Sequence, residues 1–192
     1  MSMQHSTPAS VAVFCGSQAG TRPVYREAAA ALGRQLAQQQ IDIVYGGGNV
    51  GLMGALADAA RAAGGRVIGV MPRHLVDREV AHQGLTELRV VADMHERKAT
   101  IAAHADAFIA LPGGPGTMEE FFEAWVWRQL GLHDKPVALL SVDDYYEPLA
   151  RFIEHVAEEG FMADAYSEML IVERDVDALL NRLYGASGTA MR

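Results

Sequence analysis

The sequence has few of the features that would mark a secreted, membrane-bound or nucleic-acid-binding protein. Its single cysteine, Cys15, cannot form an intramolecular disulfide, which fits a reducing compartment. With 16 basic and 24 acidic residues it lacks the clustered positive charge that phosphate backbones require. It has no 18-residue apolar run, and its first ten residues lack the basic and apolar segments of a secretory signal. We therefore expect a cytoplasmic protein with no nucleic-acid or membrane partner.

Several catalytic motifs are also missing. The seven histidines form no HExxH motif or close ligand pair, so no metal site is predicted. There is no G-x-S-x-G nucleophile elbow. Cys15 has no Cys–His motif around it, so we interpret it as a small apolar side chain at a strand end. The only lysines are Lys98 and Lys135, which makes a pyridoxal-phosphate decarboxylase a poor hypothesis.

What the sequence does have is a regular alternation of short Val/Ile-rich runs with longer Ala/Leu-rich stretches. This alternation predicts an α/β fold with a mainly parallel, doubly wound sheet of about seven strands and helices on both faces. We expect one domain over residues 10–185, with loose polar tails at 1–9 and 186–192. The predicted strands are 11–17, 41–47, 66–72, 88–93, 106–114, 136–142 and 169–175. The predicted helices lie near 23–39, 51–63, 95–105, 117–131, 145–159 and 175–184.

Glycine-rich turns follow three of the predicted strands, at 16–17, 46–51 and 112–117. Ligands of doubly wound sheets bind at the carboxyl ends of the strands, where helix N-termini suit an anion. Each glycine taken alone could serve only a tight turn, but the three loops together favour a phosphate-bearing ligand. The phosphate-loop candidates are Gly16, Ser17, Gly47 and Gly48.

One of these turns formally matches the dinucleotide fingerprint G-x-G-x-x-G, through Gly46, Gly48 and Gly51. That fingerprint needs an acid at the end of the next strand to bind a ribose hydroxyl. Here the next strand ends in Met71-Pro72-Arg73. An NAD-binding interpretation therefore fails, although Arg73 leaves an opening for a 2′-phosphate; no cofactor is predicted.

Two charged segments leave alternatives open. Met94–Lys98 opens a predicted helix, and its cations are either a solvated basic turn or a fork for a phosphate or carboxylate. Thr117-x-x-Glu120 has the spacing of a capping box, in which both side chains bind the first helical amides. The same Glu120 could instead be a catalytic carboxylate near the glycine loop. The spacing alone does not decide between these two roles.

Two separated motifs show a specific resemblance. Residues 112–120 fit the pattern P-G-G-x-G-T-x-x-E, and residues 94–98 fit M-H-x-R-K. The sequence resembles the Lonely Guy family of cytokinin riboside 5′-monophosphate phosphoribohydrolases, often labelled lysine decarboxylases, and the likeness runs from about residue 11 to 184. It implies a Rossmann-like homodimer without a dinucleotide cofactor. It also implies hydrolysis of the N-glycosidic bond of adenosine 5′-monophosphate or its N6-modified forms, giving free base and ribose 5-phosphate.

By motif position, the resemblance implies a catalytic pair of Arg97 and Glu120. It implies substrate contacts from Glu79, Lys98, Gly113, Gly114, Pro115, Gly116, Thr117 and Glu119. Two positions depart from the family: Pro115 stands where an aromatic residue is frequent, and Val126 where threonine is frequent. Either departure could alter the fit of base or ribose.

The run FFEAWVWRQLG at 121–131 is apolar on nearly every side. Since a helix that covers a sheet normally has a polar outer face, we expect this one to pack against a second subunit; a fully enclosed core helix is the alternative. A further alternative for the whole protein is a nucleotide or molybdenum-cofactor carrier of the same fold, for which the glycine loops alone would suffice.

Overall fold

A computed structural model of the chain describes residues 10–78 and 80–184. The expected tails at 1–9 and 186–192, and Glu79, lie outside the described residues. The strands are β1 Ser10–Phe14, β2 Asp42–Tyr45, β3 Val67–Pro72, β4 Glu87–Val91, β5 Ala107–Ala110, β6 Val137–Leu140 and β7 Leu170–Glu173. The helices are α1 Pro23–Gln38, α2 Gly51–Ala62, α3 Arg73–Val76, α4 Met94–Ala103, α5 Pro115–Gln129, α6 Glu147–Glu158, α7 Asp164–Glu168 and α8 Val176–Tyr184.

The seven strands form one sheet in the order β4-β3-β2-β1-β5-β6-β7, and every neighbouring pair is parallel. All seven predicted strands are present, so the predicted α/β fold is confirmed. The central strands β1, β2, β5 and β6 are almost wholly buried, which explains their continuous apolar sequence. The chain passes from β4 at one edge to β5 beside β1. The sheet therefore switches its winding direction between β1 and β5, where ligands of such folds bind.

Two apolar clusters cover the two faces of the sheet. One cluster holds Leu32 and Leu56 from α1 and α2 together with Leu179 from α8. The other holds Ile101 from α4 and Phe121 from α5. Contact between α1 and α2 requires Gly33, because a Cβ at this position would overlap the Leu56 carbonyl oxygen. The helices that carry Arg97 and Glu120 therefore share one face of the sheet.

Three short elements escaped the sequence prediction: α3, α7 and a 3₁₀ turn at Val142–Asp144. Each has at most five residues, too few for an apolar period to show. Among the described residues, no helix has both the length and the apolar character needed to cross a membrane.

Candidate active site

The loops after β1 and β5 meet at the carboxyl edge of the sheet. The amide of Gly16 donates to the carbonyl of Pro112 over 3.0 Å, and the amide of Leu52 donates to the carbonyl of Gly16 over 3.0 Å. The backbones approach so closely that a Cβ at Gly113 would lie 2.9 Å from the Gly16 nitrogen. A side chain at this position would force the two loops apart, so glycine is required there.

A cavity of about 370 Å³ opens beside these loops. Its lining includes the predicted residues Gly16, Ser17, Gly113, Gly114 and Pro115. The volume is that of a small-molecule site. Helix α5 begins at Pro115 on the rim, and its first amides have no acceptor within the helix. These free amides and the positive end of the helix dipole suit an anion.

The predicted candidates Gly47 and Gly48 do not line this cavity, because another segment covers them. The carbonyl of Gly47 accepts from the His82 amide over 2.9 Å, and Gly48 forms an isolated antiparallel bridge with Ala81. The Tyr45 hydroxyl donates to the Gly48 carbonyl over 3.0 Å. Their backbone groups hold the 80–82 segment in place.

Arg97 lies on α4, whose start is fixed by a side-chain N-cap at Asp93 that the sequence analysis missed. The Asp93 carboxylate accepts from the amides of His95 (2.8 Å) and Glu96 (2.9 Å). The Glu96 carboxylate accepts in return from the Ala92 amide over 2.6 Å. The Asp93 bonds satisfy the first amides of the helix, and the two carboxylates offset the positive charge of the cations that follow.

The guanidinium of Arg97 turns inward across the carboxyl ends of β2 and β3. Its Nε donates to the Val70 carbonyl over 3.1 Å. A Cβ at Gly46 would overlap its Nη2, so this glycine makes room for the guanidinium. The arginine is therefore held in one orientation and is not a solvated basic turn.

Glu120 faces this arginine from α5. Its Oε1 lies 3.4 Å from Arg97 Nη1, and each of the two side chains is only 13% exposed. Burial raises the pKa of Glu120, and the positive charge of Arg97 opposes the rise. The pair does not line the 370 Å³ cavity, but Glu120 lies on α5, the helix whose first residue, Pro115, does. The Glu120 charge adds to burial in raising the pKa of Cys15, the residue next to Gly16.

The capping-box interpretation of Thr117 and Glu120 is wrong. Helix α5 begins two residues before Thr117, with Gly114 as the N-cap and no side-chain cap. Thr117 is buried, and a Cβ at Gly113 would overlap its hydroxyl oxygen. It therefore packs under the glycine loop. Glu120 lies too far along the helix to bind a free first-turn amide.

Lys98 and Glu119, both predicted substrate contacts, lie side by side and form an ion pair with each other. The Lys98 amino group is 2.5 Å from Glu119 Oε1 and 3.1 Å from Glu123 Oε1. The hydrogen bond that Lys98 donates to Glu119 is the main cause of the raised pKa of Lys98. These ion pairs tie α4 to α5 directly beside the Arg97–Glu120 pair.

Two tyrosines of the cavity wall, Tyr25 and Tyr145, were not predicted. A weak signal was present, because Tyr145 follows the sixth predicted strand at the edge where ligands bind. Cys15 lies in the core cluster, and burial raises its pKa, which suits the predicted apolar role. Within 10–78 and 80–184 no group of three His, Cys, Asp or Glu residues could hold a metal ion.

Fold and site define a Rossmann-like protein with an anion-suited glycine loop and a buried arginine–glutamate pair beside it. Comparison with known proteins narrows the class. A family model described as "Possible lysine decarboxylase" matches residues 53–183. The cytokinin riboside 5′-monophosphate phosphoribohydrolase of Rhodococcoides fascians is 51% identical over 175 residues, covering 91% of this chain and 88% of that protein. Its Arabidopsis thaliana counterpart LOG3 is 48% identical over 182 residues, covering 95% and 85%.

The chain belongs to this Lonely Guy (LOG) family, as the sequence motifs predicted. Solved structures of molybdenum cofactor proteins share the fold. The carrier protein of Chlamydomonas reinhardtii superposes with a TM-score of 0.71 at 23% identity, over 92% of this chain and 96% of that one. The binding protein of Rippkaea orientalis gives a TM-score of 0.70 at 20% identity, over 92% and 96%. At such identities the likeness concerns the fold alone.

Proposed function

We propose that the protein hydrolyses the N-glycosidic bond of adenosine 5′-monophosphate or an N6-modified form of it. The products are the free base and ribose 5-phosphate. The observation that carries the proposal is the buried Arg97–Glu120 pair, 3.4 Å apart beside a cavity with an anion-suited rim. Two relatives that are about half identical to this chain are named for this class of reaction, which supports the proposal.

In the proposed reaction, the 5′-phosphate binds the loop Gly113–Thr117 and the ribose extends toward Glu120. As the bond from C1′ to the base breaks, the ribose takes on oxocarbenium character, and the Glu120 carboxylate stabilises the positive charge. Water adds its oxygen to C1′, and its proton passes through Glu120 to the departing base. A raised pKa makes Glu120 a better base for this transfer than an exposed glutamate.

Arg97 has two proposed tasks. Its charge keeps a buried carboxylate ionised, and its guanidinium contacts the phosphoribosyl unit. Lys98 adds positive charge nearby, while Glu119 and Glu79 are proposed as further substrate contacts on motif position alone. The cavity residues Gly16 and Ser17 complete the phosphate side. Gly47 and Gly48 are given no role in binding, because neither residue lines the cavity.

Incubation of purified protein with AMP and with isopentenyl-AMP tests the proposal. Chromatography should show equal amounts of base and ribose 5-phosphate from at least one nucleotide. If both nucleotides stay intact and the protein retains one of them, the carrier alternative would stand instead. A carrier offers no reason for burying an arginine–glutamate pair, which costs desolvation energy.

We further propose a homodimer formed through the outer side of α5. Val126 on this helix is 41% exposed, and Leu130 and Leu132 just beyond it are each 69% exposed. Three large exposed apolar side chains at the end of α5 and just beyond it fit a subunit interface. Sedimentation at micromolar concentration should give the mass of two chains; a stable single chain would contradict this proposal. Residues 10–185 are proposed to act as one domain, and a cytoplasmic location fits the free buried thiol of Cys15.

A further inference from the structure

Three successive carbonyl groups lie at the start of the glycine loop after β5. Each accepts a hydrogen bond from a residue outside the loop. Leu111 accepts from the Tyr146 hydroxyl over 2.6 Å, and Pro112 from the Gly16 amide over 3.0 Å. Gly113 accepts from the Tyr145 hydroxyl over 2.7 Å. A carbonyl held in this way is not free to turn toward an anion, so the orientation of the loop is set by its neighbours.

The segment that carries both tyrosines is itself held in an uncommon conformation. Asp143 and Asp144, which precede Tyr145, have φ angles of 51° and 60°. Side-chain-bearing residues rarely adopt this left-handed region, and such strain persists only where surrounding contacts enforce it. Asp143 pairs with Arg22 at the start of α1, and the Asp144 carboxylate lies 2.6 Å from Arg174 Nε after β7.

The two tyrosines differ in their surroundings. Tyr146 is 1% exposed within an apolar cluster, so its hydrogen bond belongs to the core. Tyr145 is 39% exposed and lines the cavity, with its ring edge-on to Tyr25 at 5.8 Å. The core does not need Tyr145 for packing. The left-handed backbone of the two preceding residues nevertheless places its hydroxyl against the loop proposed to hold the phosphate.

We propose that Tyr145 is a positioning residue for phosphate binding. Its hydroxyl fixes the Gly113 carbonyl, which leaves the amides that follow, at the start of α5, directed toward the anion. The inference rests on the proposed function, because it assigns Tyr145 to the phosphate side of that same site. It makes different predictions for the two ends of the ligand: binding of the phosphate depends on Tyr145, and binding of the base does not.

Tyr145→Phe tests this, since it removes one oxygen and keeps the ring. Calorimetry with ribose 5-phosphate, which has no glycosidic base to lose, should give a Kd raised about three- to tenfold, the size of one lost hydrogen bond. The Kd for adenine should stay at the parental value, and kcat/KM for AMP should fall by a similar factor. Tyr166→Phe, on α7 away from the cavity, is the matched control and should behave as the parent.

Each contrary result has its own meaning. If the parent cleaves AMP and Tyr145→Phe binds ribose 5-phosphate equally well, the positioning role is overturned while the proposed function stands. If the variant loses adenine and ribose 5-phosphate alike, or melts many degrees below Tyr166→Phe, Tyr145 is a general structural residue and the inference is overturned. If the parent neither binds nor cleaves AMP, the proposed function falls and this inference falls with it.

Discussion

Replacing Glu120 by glutamine separates the charge of this side chain from its shape. The two side chains are nearly isosteric, so the glutamine carbonyl can still face Arg97 Nη1. The structure removes one complication, because Glu120 does not cap α5 and no cap is lost in the variant. Any effect on turnover therefore reports the carboxylate charge.

The stability change should be small. Removing one partner of a buried ion pair normally costs several kcal/mol, because the other charge is left uncompensated. Here burial of Glu120 outweighs the attraction of Arg97 in setting its pKa, so losing the charge also relieves a desolvation cost. Arg97 keeps its hydrogen bond to the Val70 carbonyl. We expect the free energy of unfolding to change by no more than about 1 kcal/mol near neutral pH.

Turnover should respond far more strongly. A carboxylate that stabilises the oxocarbenium and transfers the proton accounts for a factor of about 100 or more in kcat. Release of base from AMP and isopentenyl-AMP measures kcat, and calorimetry with ribose 5-phosphate checks that the phosphate side still binds. Glu123→Gln, one turn further along the same helix, is the control for losing a carboxylate from α5 and should stay close to the parental rate.

Two results would refute this reasoning. A Glu120→Gln variant that hydrolyses AMP at the parental rate would show that the carboxylate has no part in the chemistry. A variant that melts far below the parent and loses all ligand binding would show that Glu120 serves the fold. Slow turnover with retained binding and near-parental melting is the expected combination.

The pH dependence follows from the same carboxyl group. Because its pKa is raised in the folded protein, its contribution to stability is present below the ordinary glutamate pKa. This contribution is lost as pH rises through the raised value. Glutamine does not titrate, so the stability of Glu120→Gln relative to the parent should improve with rising pH across that window. Since the working form is the carboxylate, parental kcat/KM should fall on the acid side at a pH above the ordinary glutamate range.

Other substitutions give equally direct tests. Arg97→Ala should abolish AMP hydrolysis and cost about 2–4 kcal/mol in urea unfolding, because Glu120 stays buried without its counter-charge. Gly113→Ala should cost about 1–3 kcal/mol in thermal unfolding through overlap with its neighbours. Gly114→Ala, whose Cβ would meet nothing within 4 Å, is its control and should melt with the parent. Leu132→Glu should shift the sedimenting species from two chains to one.

The sheet was predictable because burial on both faces leaves a strong mark on the sequence. The central strands read as apolar runs, such as Val137–Leu140, and glycine turns mark where several strands end. The start of α5 was harder, because Pro115 and Gly116 read as loop residues and hid the first turn of the helix. Proline is in fact well placed at the first helical position, because the amide there makes no hydrogen bond within the helix.

The residues of the site could be predicted only where they belong to a recognisable sequence motif. Arg97 and Glu120 stand in two recognisable blocks, and the fold brings their side chains together. The distinction between Gly16, which lines the cavity, and Gly47, which lies under the 80–82 segment, depends on a contact between distant parts of the chain. Tyr145 was missed for a related reason: its importance comes from a strained turn and two ion pairs, none of which has a periodic signature.

The strand order also has a consequence for how the site assembles during folding. Arg97 and Glu120 lie on α4 and α5, the helices that directly precede and follow β5 in the chain, so only a short contiguous stretch of chain separates them. The cavity beside them needs β1 to pair with β5, through contacts such as Val11 with Ala107, and so needs closure of most of the intervening chain. Long loops close at a higher entropy cost and more slowly. The contact between Arg97 and Glu120 should therefore form early in refolding, and the cavity beside the glycine loops should form last.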